Sequence, residues 1–173
     1  TLGQVNIQLC EDDISVLELL NYRADFLQWQ LGTNTDPPVW SDIAGANADT
    51  FVVDIEPFQR FFYRVVVSNG LCSQDTSTIA DVRMDPQPLA GVILTGDTVL
   101  CEGMGVELVL QGDLGLPQWQ FSDLEGLTWT NLPAENDETL LLSSVTDSLL
   151  YRVEVTSGSC DVVYSDFILV GVH

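Results

Sequence analysis

The sequence contains no Lys and only one His, which is the last residue, His173. Its 26 Asp and Glu residues oppose five Arg, so the formal net charge is -21. Such an acidic surface repels nucleic-acid phosphates and anionic lipid headgroups, which excludes nucleic acid as a partner and disfavours a membrane surface. No apolar run is long enough to span a bilayer, so membrane insertion is not expected either.

The sequence also lacks the motifs that signal catalysis. It contains no Gly-x-Ser-x-Gly elbow, no His-Glu-x-x-His pair and no phosphate-binding glycine loop. A Ser-His-Asp or Cys-His arrangement would depend on the terminal His173. A glycosidase carboxylate pair is an alternative among so many acids, but acids scattered over turns are usually solvated. We therefore predict no catalytic residues and no enzymatic activity.

What the sequence does contain is one unit present twice. The segment Tyr63–Cys72 recurs 88 residues later as Tyr151–Cys160. Three further motif pairs keep the same order at nearly the same offset: Leu9–Glu11 with Leu100–Glu102, Gln28–Gln30 with Gln118–Gln120, and Trp40–Ile43 with Trp129–Leu132. Four anchors in one order indicate an internal duplication. We predict two domains, 1–85 and 86–173, joined by the short Pro-containing linker Asp85–Pro88.

The four Cys occupy equivalent positions in the two units, and none lies in a Cys-x-x-Cys pair. Structural zinc would need more ligands at tighter spacing, so disulfides are the better account, and they favour an extracellular or cell-surface location. A unit that was duplicated as a whole should close within itself. Of the three possible connectivities we therefore predict Cys10–Cys72 and Cys101–Cys160.

Short alternating runs between turns predict about seven strands per unit, and neither unit has a helical period of useful length. The predicted strands are 4–9, 14–20, 26–31, 39–43, 50–55, 61–67 and 76–84 in the first unit, and 92–100, 106–111, 118–121, 128–132, 139–143, 149–156 and 163–172 in the second. This pattern predicts an all-β fold made of two tandem two-sheet sandwiches. The predicted core residues are Trp29, Tyr63 and Val65, with Trp119, Tyr151 and Val153. The first strand is predicted to turn Val5, Ile7 and Leu9 inward.

The motif order resembles the immunoglobulin-like repeats of very large secreted surface proteins of the Bacteroidota, which include gliding-motility adhesins exported by the type IX system. The resemblance rests on Cys-Glu, Gln-Trp-Gln, Trp-x-x-Ile or Trp-x-x-Leu, and Tyr-Arg-Val-x-Val-x-x-Gly-x-Cys, and it covers nearly the whole chain twice. It implies immunoglobulin-like sandwiches at a bacterial cell surface, where such repeats often act as spacers. Unlike in antibody domains, each second Cys lies nine residues beyond the motif Tyr, which places the predicted bridge near one end of the sandwich.

Several residues are candidates for binding or modification. Glu11, Asp12 and Asp13 could hold calcium, or they could cap a turn. Trp40 and Trp129 could form a sugar-stacking platform, although their repetition favours packing. The triplets Asp97-Thr98-Val99 and Asp147-Ser148-Leu149 resemble a short O-glycosylation site of Bacteroidota, with Thr98 and Ser148 as acceptors.

The leading hypothesis is a non-enzymatic extracellular structural or adhesive protein. Its expected partners are other copies of itself or neighbouring immunoglobulin-like repeats, and surface glycans or proteins. One alternative is a subunit that assembles into a filament or sheath through sheet edges. The residues expected at those edges are Val5, Ile7, Leu9, Ile168 and Val170. The other alternative is a carbohydrate-binding module. Calcium is the one cofactor considered.

Overall fold

A computed structural model of the protein describes residues 1–3, 5–70 and 73–173. The chain divides into two compact units, Thr1–Pro86 and Gln87–His173, which we call unit 1 and unit 2. No described residue lies in a helix, so this part of the chain has no helix that could cross a membrane. The predicted all-β fold with two tandem sandwiches is confirmed.

The described part of unit 1 forms two sheets. Its strands are β1 Asn6–Cys10, β2 Ser15–Glu18, β3 Phe26–Gly32, β4 Trp40–Asp42, β5 Thr50–Val53, β6 Arg60–Ser68, β7 Asp75–Thr76 and β8 Ala80–Asp85. The larger sheet has the order β1-β8-β6-β3-β4, with β7 also paired to β6. The smaller sheet pairs β2 with β5, and a single bridge joins Leu2 to Leu19.

Unit 2 repeats this plan, but its smaller sheet has three strands where that of unit 1 has two. Its strands are β9 Leu89–Thr95, β10 Val99–Leu100, β11 Val106–Leu114, β12 Leu116–Ser122, β13 Thr130–Asn131, β14 Thr139–Leu142, β15 Leu149–Thr156, β16 Val163–Tyr164 and β17 Ile168–Val172. The larger sheet has the order β10-β17-β15-β12-β13, with β16 beside β15. The smaller sheet has the order β14-β11-β9.

Each core is built around one Trp between the two sheets. Trp29 and Trp119 are both 0% exposed, and each indole N–H donates to a backbone carbonyl, Ala48 at 2.8 Å and Asp137 at 2.9 Å. These bonds satisfy the one polar atom of a side chain that is otherwise buried for its apolar area. The other predicted core residues are also buried: Tyr63, Val65, Tyr151 and Val153.

The first strand departs from its predicted alternation. Leu9 is buried and Ile7 packs against the core, but Val5 is 43% exposed, so the inward prediction for Val5 is wrong. The chain pairs with the smaller sheet at Leu2 and with the larger sheet from Asn6 onward. Because the chain changes sheets between these residues, a single alternation cannot describe both sides of the crossing.

The last predicted strand of each unit is split by a serine. The hydroxyl of Ser77 accepts the Val65 N–H at 2.9 Å, and that of Ser165 accepts the Val153 N–H at 2.9 Å. A side-chain oxygen therefore replaces a backbone carbonyl in the ladder, which shifts the chain before pairing resumes. This substitution separates β7 from β8 and β16 from β17.

Candidate functional site

The outer face of the larger sheet in unit 2 carries a connected polar cluster. Strand alternation turns Trp119 and Val153 inward, so the neighbouring Gln120 and Arg152 point outward, and the register of β12 and β15 places these two opposite each other. Arg152 Nε donates to Gln120 Oε1 at 2.8 Å. The amide nitrogen of Gln120 donates to Asn131 Oδ1 at 2.8 Å and to Glu154 Oε2 at 3.0 Å.

Aromatic rings enclose the Arg152 guanidinium. Its central carbon lies 4.2 Å from the Trp129 ring centroid and 4.1 Å from that of Tyr164. Phe167 adds a third ring, 6.3 Å from Trp129. Tyr164 remains 47% exposed and Phe167 62% exposed. We call Trp129, Tyr164 and Phe167 the aromatic patch; a hydrogen bond and two cation–π contacts hold the Arg at its centre.

Unit 1 contains the same cluster without the additional rings. Arg64 Nε donates to Gln30 Oε1 at 2.8 Å, and Gln30 donates to Asp42 Oδ1 at 2.8 Å. The Arg64 guanidinium carbon lies 4.1 Å from the Trp40 centroid. At the positions equivalent to Tyr164 and Phe167, unit 1 has Thr76 and Ile79. The cluster is therefore common to both units, and the aromatic patch belongs to unit 2.

The cluster explains the Gln-Trp-Gln motif position by position. The middle residue is the core Trp, and the third residue is the partner of the Arg. The first residue, Gln28 or Gln118, donates to the carbonyl oxygen of Ile43 or Leu132, each at 2.8 Å, and so fixes the loop after β4 or β13. The motifs did not predict Tyr164 and Phe167, because neither residue recurs in unit 1. The contacts of Trp40 and Trp129 with an Arg were not predicted either, because the partners lie more than 20 residues apart in the chain.

The few positive charges lie mainly on these outer faces. Arg60 and Arg83 are cross-strand neighbours on β6 and β8, on the same face as Arg64. Arg60 makes two bonds to Asp81, Nε to Oδ1 at 2.8 Å and Nη2 to Oδ2 at 2.6 Å. The hydrogen bond with Arg60 is the main reason why the pKa of Asp81 is lowered. The pair is exposed, so its contribution to stability is small. Its effect is a locally balanced charge on an otherwise acidic protein.

The cysteines differ from the prediction. Cys10 and Cys160 are each disulfide-bonded. Cys101 is an exposed free thiol, so the predicted Cys101–Cys160 bond is not formed and that prediction is wrong. Its thiol faces solvent directly after β10, whereas Cys160 is buried in a turn that starts at Ser157. Cys72, the predicted partner of Cys10, lies outside the described residues.

The predicted calcium ligands form a capped turn. Asp13 Oδ2 accepts the Cys10 N–H at 2.9 Å, and Asp12 adopts a left-handed φ of 74°. Among residues 1–3, 5–70 and 73–173, no group of three acidic, His or Cys side chains is arranged to hold a metal ion. The Asp13 carboxylate therefore caps its own turn, and calcium binding by Glu11, Asp12 and Asp13 stays a prediction.

The other predicted sites are placed as follows. Ile168 and Val170 lie on β17, which is paired on both sides by β10 and β15, and Val170 is 0% exposed, so the prediction that they form an assembly edge is wrong. Strand β1, with Ile7 and Leu9, does lie at the edge of its sheet.

The two candidate glycosylation residues, Thr98 and Ser148, both lie close to Gly171. The Gly171 N–H bonds to the Thr98 carbonyl, and the Ser148 hydroxyl accepts the Val172 N–H.

Family comparison matches both units separately. The sequence profile described as "Domain of unknown function (DUF8696)" matches residues 4–86 and 90–173. The chain belongs to this family. Each unit is thus one DUF8696 domain, and the two clusters occupy equivalent places in the two DUF8696 copies. No curated protein matches the sequence significantly.

Solved structures identify the fold of the DUF8696 pair as immunoglobulin-like. Murine CEACAM1b is 16% identical with a TM-score of 0.67, and the match covers 100% of both chains. A chain from the complex of a mouse coronavirus receptor-binding domain with its murine receptor is 14% identical with a TM-score of 0.69 and 96% coverage of both. The amphioxus IgVJ-C2 molecule is 10% identical with a TM-score of 0.57, covering 95% of this chain and 99% of its own. At these identities the likeness concerns the fold alone.

Proposed function

We propose that this tandem immunoglobulin-like protein is a non-enzymatic, extracellular structural and adhesive element of a bacterial cell surface. The observation that carries the proposal is the aromatic patch around Arg152, which exposes 47% of Tyr164 and 62% of Phe167 on the outer face of a sheet. Bacterial origin and export by the type IX system follow from the sequence resemblance and are part of the proposal.

The patch has the composition and rigidity that protein interfaces favour. Aromatic residues and Arg are enriched where binding energy concentrates. Arg152 is held by Gln120 and two rings, so little side-chain freedom is left to lose when a partner binds. Arg152 is also the only Arg of unit 2, so it gives an acidic domain one fixed positive group at the patch. The proposed partner is a protein on a neighbouring surface, including another copy of this chain.

Attachment of coated beads tests the adhesive role. Beads carrying the chain should attach to cells of the source bacterium. The double variant Tyr164→Ser, Phe167→Ser should reduce attachment at least tenfold and lower the melting temperature only slightly, because one of the two cation–π contacts of Arg152 is lost. Phe26→Ser is the matched control, because Phe26 is 65% exposed on unit 1 and outside the patch. Equal attachment of the double variant and the control would refute the role of the patch.

A second candidate function is self-assembly into a filament or sheath. Strand β1 supports it, because β1 lies at the edge of the larger sheet of unit 1, where a neighbouring strand could be added. The mass of the native polypeptide from source cells, after boiling in reductant and detergent, separates the two accounts. A value near 19.0 kDa favours a self-assembling subunit, and a value many times larger favours two repeats of a long adhesin.

A third candidate function is carbohydrate binding. Tyr164 and Phe167 supply exposed rings, but Arg152 covers one face of Trp129 and Arg64 covers one face of Trp40. A sugar would therefore stack on the opposite ring faces or on Phe167. Tryptophan fluorescence measured across a panel of surface glycans tests this function, and an emission that no glycan changes would argue against it.

A further inference from the structure

Strand β1 has one side that pairs with β8 and one side that faces away from the sheet. Among the described residues, β1 is the outermost strand of the larger sheet of unit 1, and it runs parallel to β8. The Asp81 N–H bonds to the Val5 carbonyl at 2.7 Å, and the Glu11 N–H bonds to the Asp85 carbonyl at 2.9 Å. Because alternate residues of a strand face the same neighbour, every second residue from Val5 to Glu11 bonds to β8. The residues that precede β1 run to the smaller sheet, so they do not lie along its outer side.

The residues of β1 that face outward are Asn6, Gln8 and Cys10. The Cys10 N–H bonds to the Asp13 carboxylate at 2.9 Å, and the Cys10 carbonyl accepts the Asp13 N–H at 2.9 Å. The backbone N–H and C=O groups of Asn6 and Gln8 have no partner within residues 1–3, 5–70 and 73–173. Both residues are exposed. The edge thus offers two donors and two acceptors to another strand.

Unit 2 protects the same edge, and unit 1 does not. The motif Leu9–Glu11 corresponds to Leu100–Glu102, so Asn6 corresponds to Asp97. The edge strand of unit 2, β10, has only two residues, and the exposed carboxylate of Asp97 lies just before it. Short edge strands and charged side chains are the usual means by which proteins prevent pairing between edges. Strand β1 has five residues and none of them is charged, so this edge is open to pairing.

We propose that two copies of this chain pair through β1, antiparallel and related by a two-fold axis, and so join their larger sheets. In this register Asn6 of one copy lies opposite Gln8 of the other, and each such pair exchanges two backbone hydrogen bonds. Ile7 lies opposite Ile7 of the second copy, so two partly buried side chains become neighbours. A shift towards the turn would set Asn6 against Cys10, whose N–H and C=O are already bonded to Asp13. The opposite shift would set Gln8 beyond the first residue of β1.

The charge around β1 favours a second copy at this edge. A net charge of -21 makes two copies repel each other over most of their surfaces. The groove beside Asn6 and Gln8 is an exception, because two arginines, Arg60 and Arg83, line it with one acid, Asp81. Repulsion between copies is therefore reduced where the two β1 strands meet.

The geometry of the contact also determines what it can build. This pairing rests on the second candidate function, self-assembly at β1, and it gives that function a partner and a register. The same surface is used on both copies, so the contact closes into a dimer, and a filament would need a further contact. Four hydrogen bonds and one pair of Ile side chains make a small interface, so association requires a high protein concentration.

Sedimentation equilibrium at millimolar concentration tests the pairing on the whole chain, with Cys101→Ser in every sample so that no disulfide forms between copies. The chain should form a dimer. Gln8→Pro should weaken it at least tenfold, because the Gln8 N–H of each copy is lost from the contact, while the bonds between β1 and β8 remain. Gln8→Ala is the matched control, since it removes the same side chain and keeps the N–H. A monomer at every concentration, or equal dimerisation of the two variants, would overturn the proposal.

Charged pairs test the register. Asn6→Lys with Gln8→Glu sets opposite charges against each other in both pairs. Its dimer should be at least tenfold tighter than those of two like-charged variants, Asn6→Glu with Gln8→Glu and Asn6→Lys with Gln8→Lys. The like-charged variants change the net charge in opposite directions, so overall charge cannot explain both differences. Equal dimerisation of the three variants would overturn the register.

The native mass tests the second candidate function separately. A β1-dependent dimer together with a native mass many times 19.0 kDa would support the pairing and refute the self-assembling subunit. A chain that stays monomeric together with a native mass near 19.0 kDa would overturn the pairing and leave self-assembly to another contact.

Discussion

The two arginines at the centres of the clusters, Arg64 and Arg152, make different numbers of contacts in the two units. Arg64 is bonded to Gln30 and lies over one ring, whereas Arg152 is bonded to Gln120 and lies between two. Gln120 is also more enclosed, with 5% exposure. Removing Arg152 therefore leaves a nearly buried amide oxygen without its donor.

Arg152→Ala should destabilise the protein more than Arg64→Ala. The lost cation–π contacts contribute about 1–2 kcal/mol, and an unsatisfied buried acceptor costs about 1–3 kcal/mol. We expect a total of about 2–5 kcal/mol for Arg152→Ala and about half as much for Arg64→Ala. Urea denaturation followed by tryptophan fluorescence measures both, with hydrogen exchange assigning each loss to its unit.

Arg152→Lys is the control for charge alone. Lys keeps the positive charge but loses the planar stacking and the Nε bond to Gln120. It should recover less than half of the loss. Full recovery would show that charge, and not the arrangement of rings, stabilises this face.

Tyr63 links core packing to alkaline pH. Burial raises its pKa to about 12, with a smaller contribution from the charge of Asp54. In the unfolded chain its pKa is near the ordinary value of 10.0. Between pH 10 and 12 the unfolded state loses this proton and the folded state keeps it, so the stability that is present below pH 10 is lost as the pH rises through this window.

Tyr63→Phe should therefore flatten the alkaline loss of stability. The variant has no phenol to ionise at this site, so the difference between its urea midpoints at pH 9 and pH 11 should be smaller than for the unaltered chain. Some decline should remain, because burial also raises the pKa of Tyr151. An identical decline in both proteins would show that Tyr63 does not contribute to it.

The sequence predicted the residues that repeat and missed those that do not. Trp29 and Trp119 were predicted from their shared motif, and both are fully buried. Tyr164 and Phe167 were missed because they join the aromatic patch only through the fold. Strand β16 and the following turn place them next to Trp129, which is distant in the chain. A pattern within one strand carries no information about a ring contributed by another.

At the scale of elements, strand β4 is held to its sheet by a close contact. Gly32 is paired with Trp40, and a Cβ at Gly32 would lie 2.9 Å from the indole ring. The Trp40 ring thus lies flat against the backbone at Gly32, where any side chain larger than that of glycine would collide with it. Arg64 covers the same ring, so the contact also supports the cluster.

Gly32→Ala should displace Trp40 and loosen β4. We expect a destabilisation of about 1–3 kcal/mol, typical of overpacking, with a red shift of the tryptophan emission. Gly96→Ala is the matched control, because no heavy atom lies within 4 Å of its added Cβ. If the two variants behave alike, the contact between Gly32 and Trp40 does not constrain β4.

Strand positions were predictable where one alternation runs without interruption, as in β6 and β15. They were not predictable where a side chain enters the ladder, as Ser77 and Ser165 do, or where the chain passes from one sheet to the other before Asn6. In both cases the deviation arises from a hydrogen bond between residues distant in sequence. The local preference of a sequence for strand structure does not predict such a bond.

At the scale of the whole molecule, acidity opposes compactness. The net charge of -21 far exceeds what an ion pair such as Arg60 with Asp81 neutralises. Most carboxylates therefore interact mainly by mutual repulsion, which favours the expanded chain. Duplication made the two-domain architecture predictable, but the pairing of cysteines was not, since it depends on the orientation of side chains such as Cys101 in three dimensions.

Raising the ionic strength should stabilise the protein. Between about 0.01 and 0.15 M salt the screening length falls from about 30 to about 8 Å, so repulsion weakens and the melting temperature should rise by several degrees. Calcium and magnesium chlorides at equal concentration should give equal rises. A saturable excess with calcium would reveal an ion site and contradict simple screening.

Mechanical load would act unequally on the two domains. In unit 1, β1 and β8 run parallel and share five register pairs, so a pull on their outer ends shears all of these bonds at once. In unit 2, β10 and β17 make the corresponding parallel contact over two pairs. Unit 2 therefore resists shear less than unit 1. If flow or a moving cell stretched the chain, unit 2 would extend first and would limit the force that reaches unit 1.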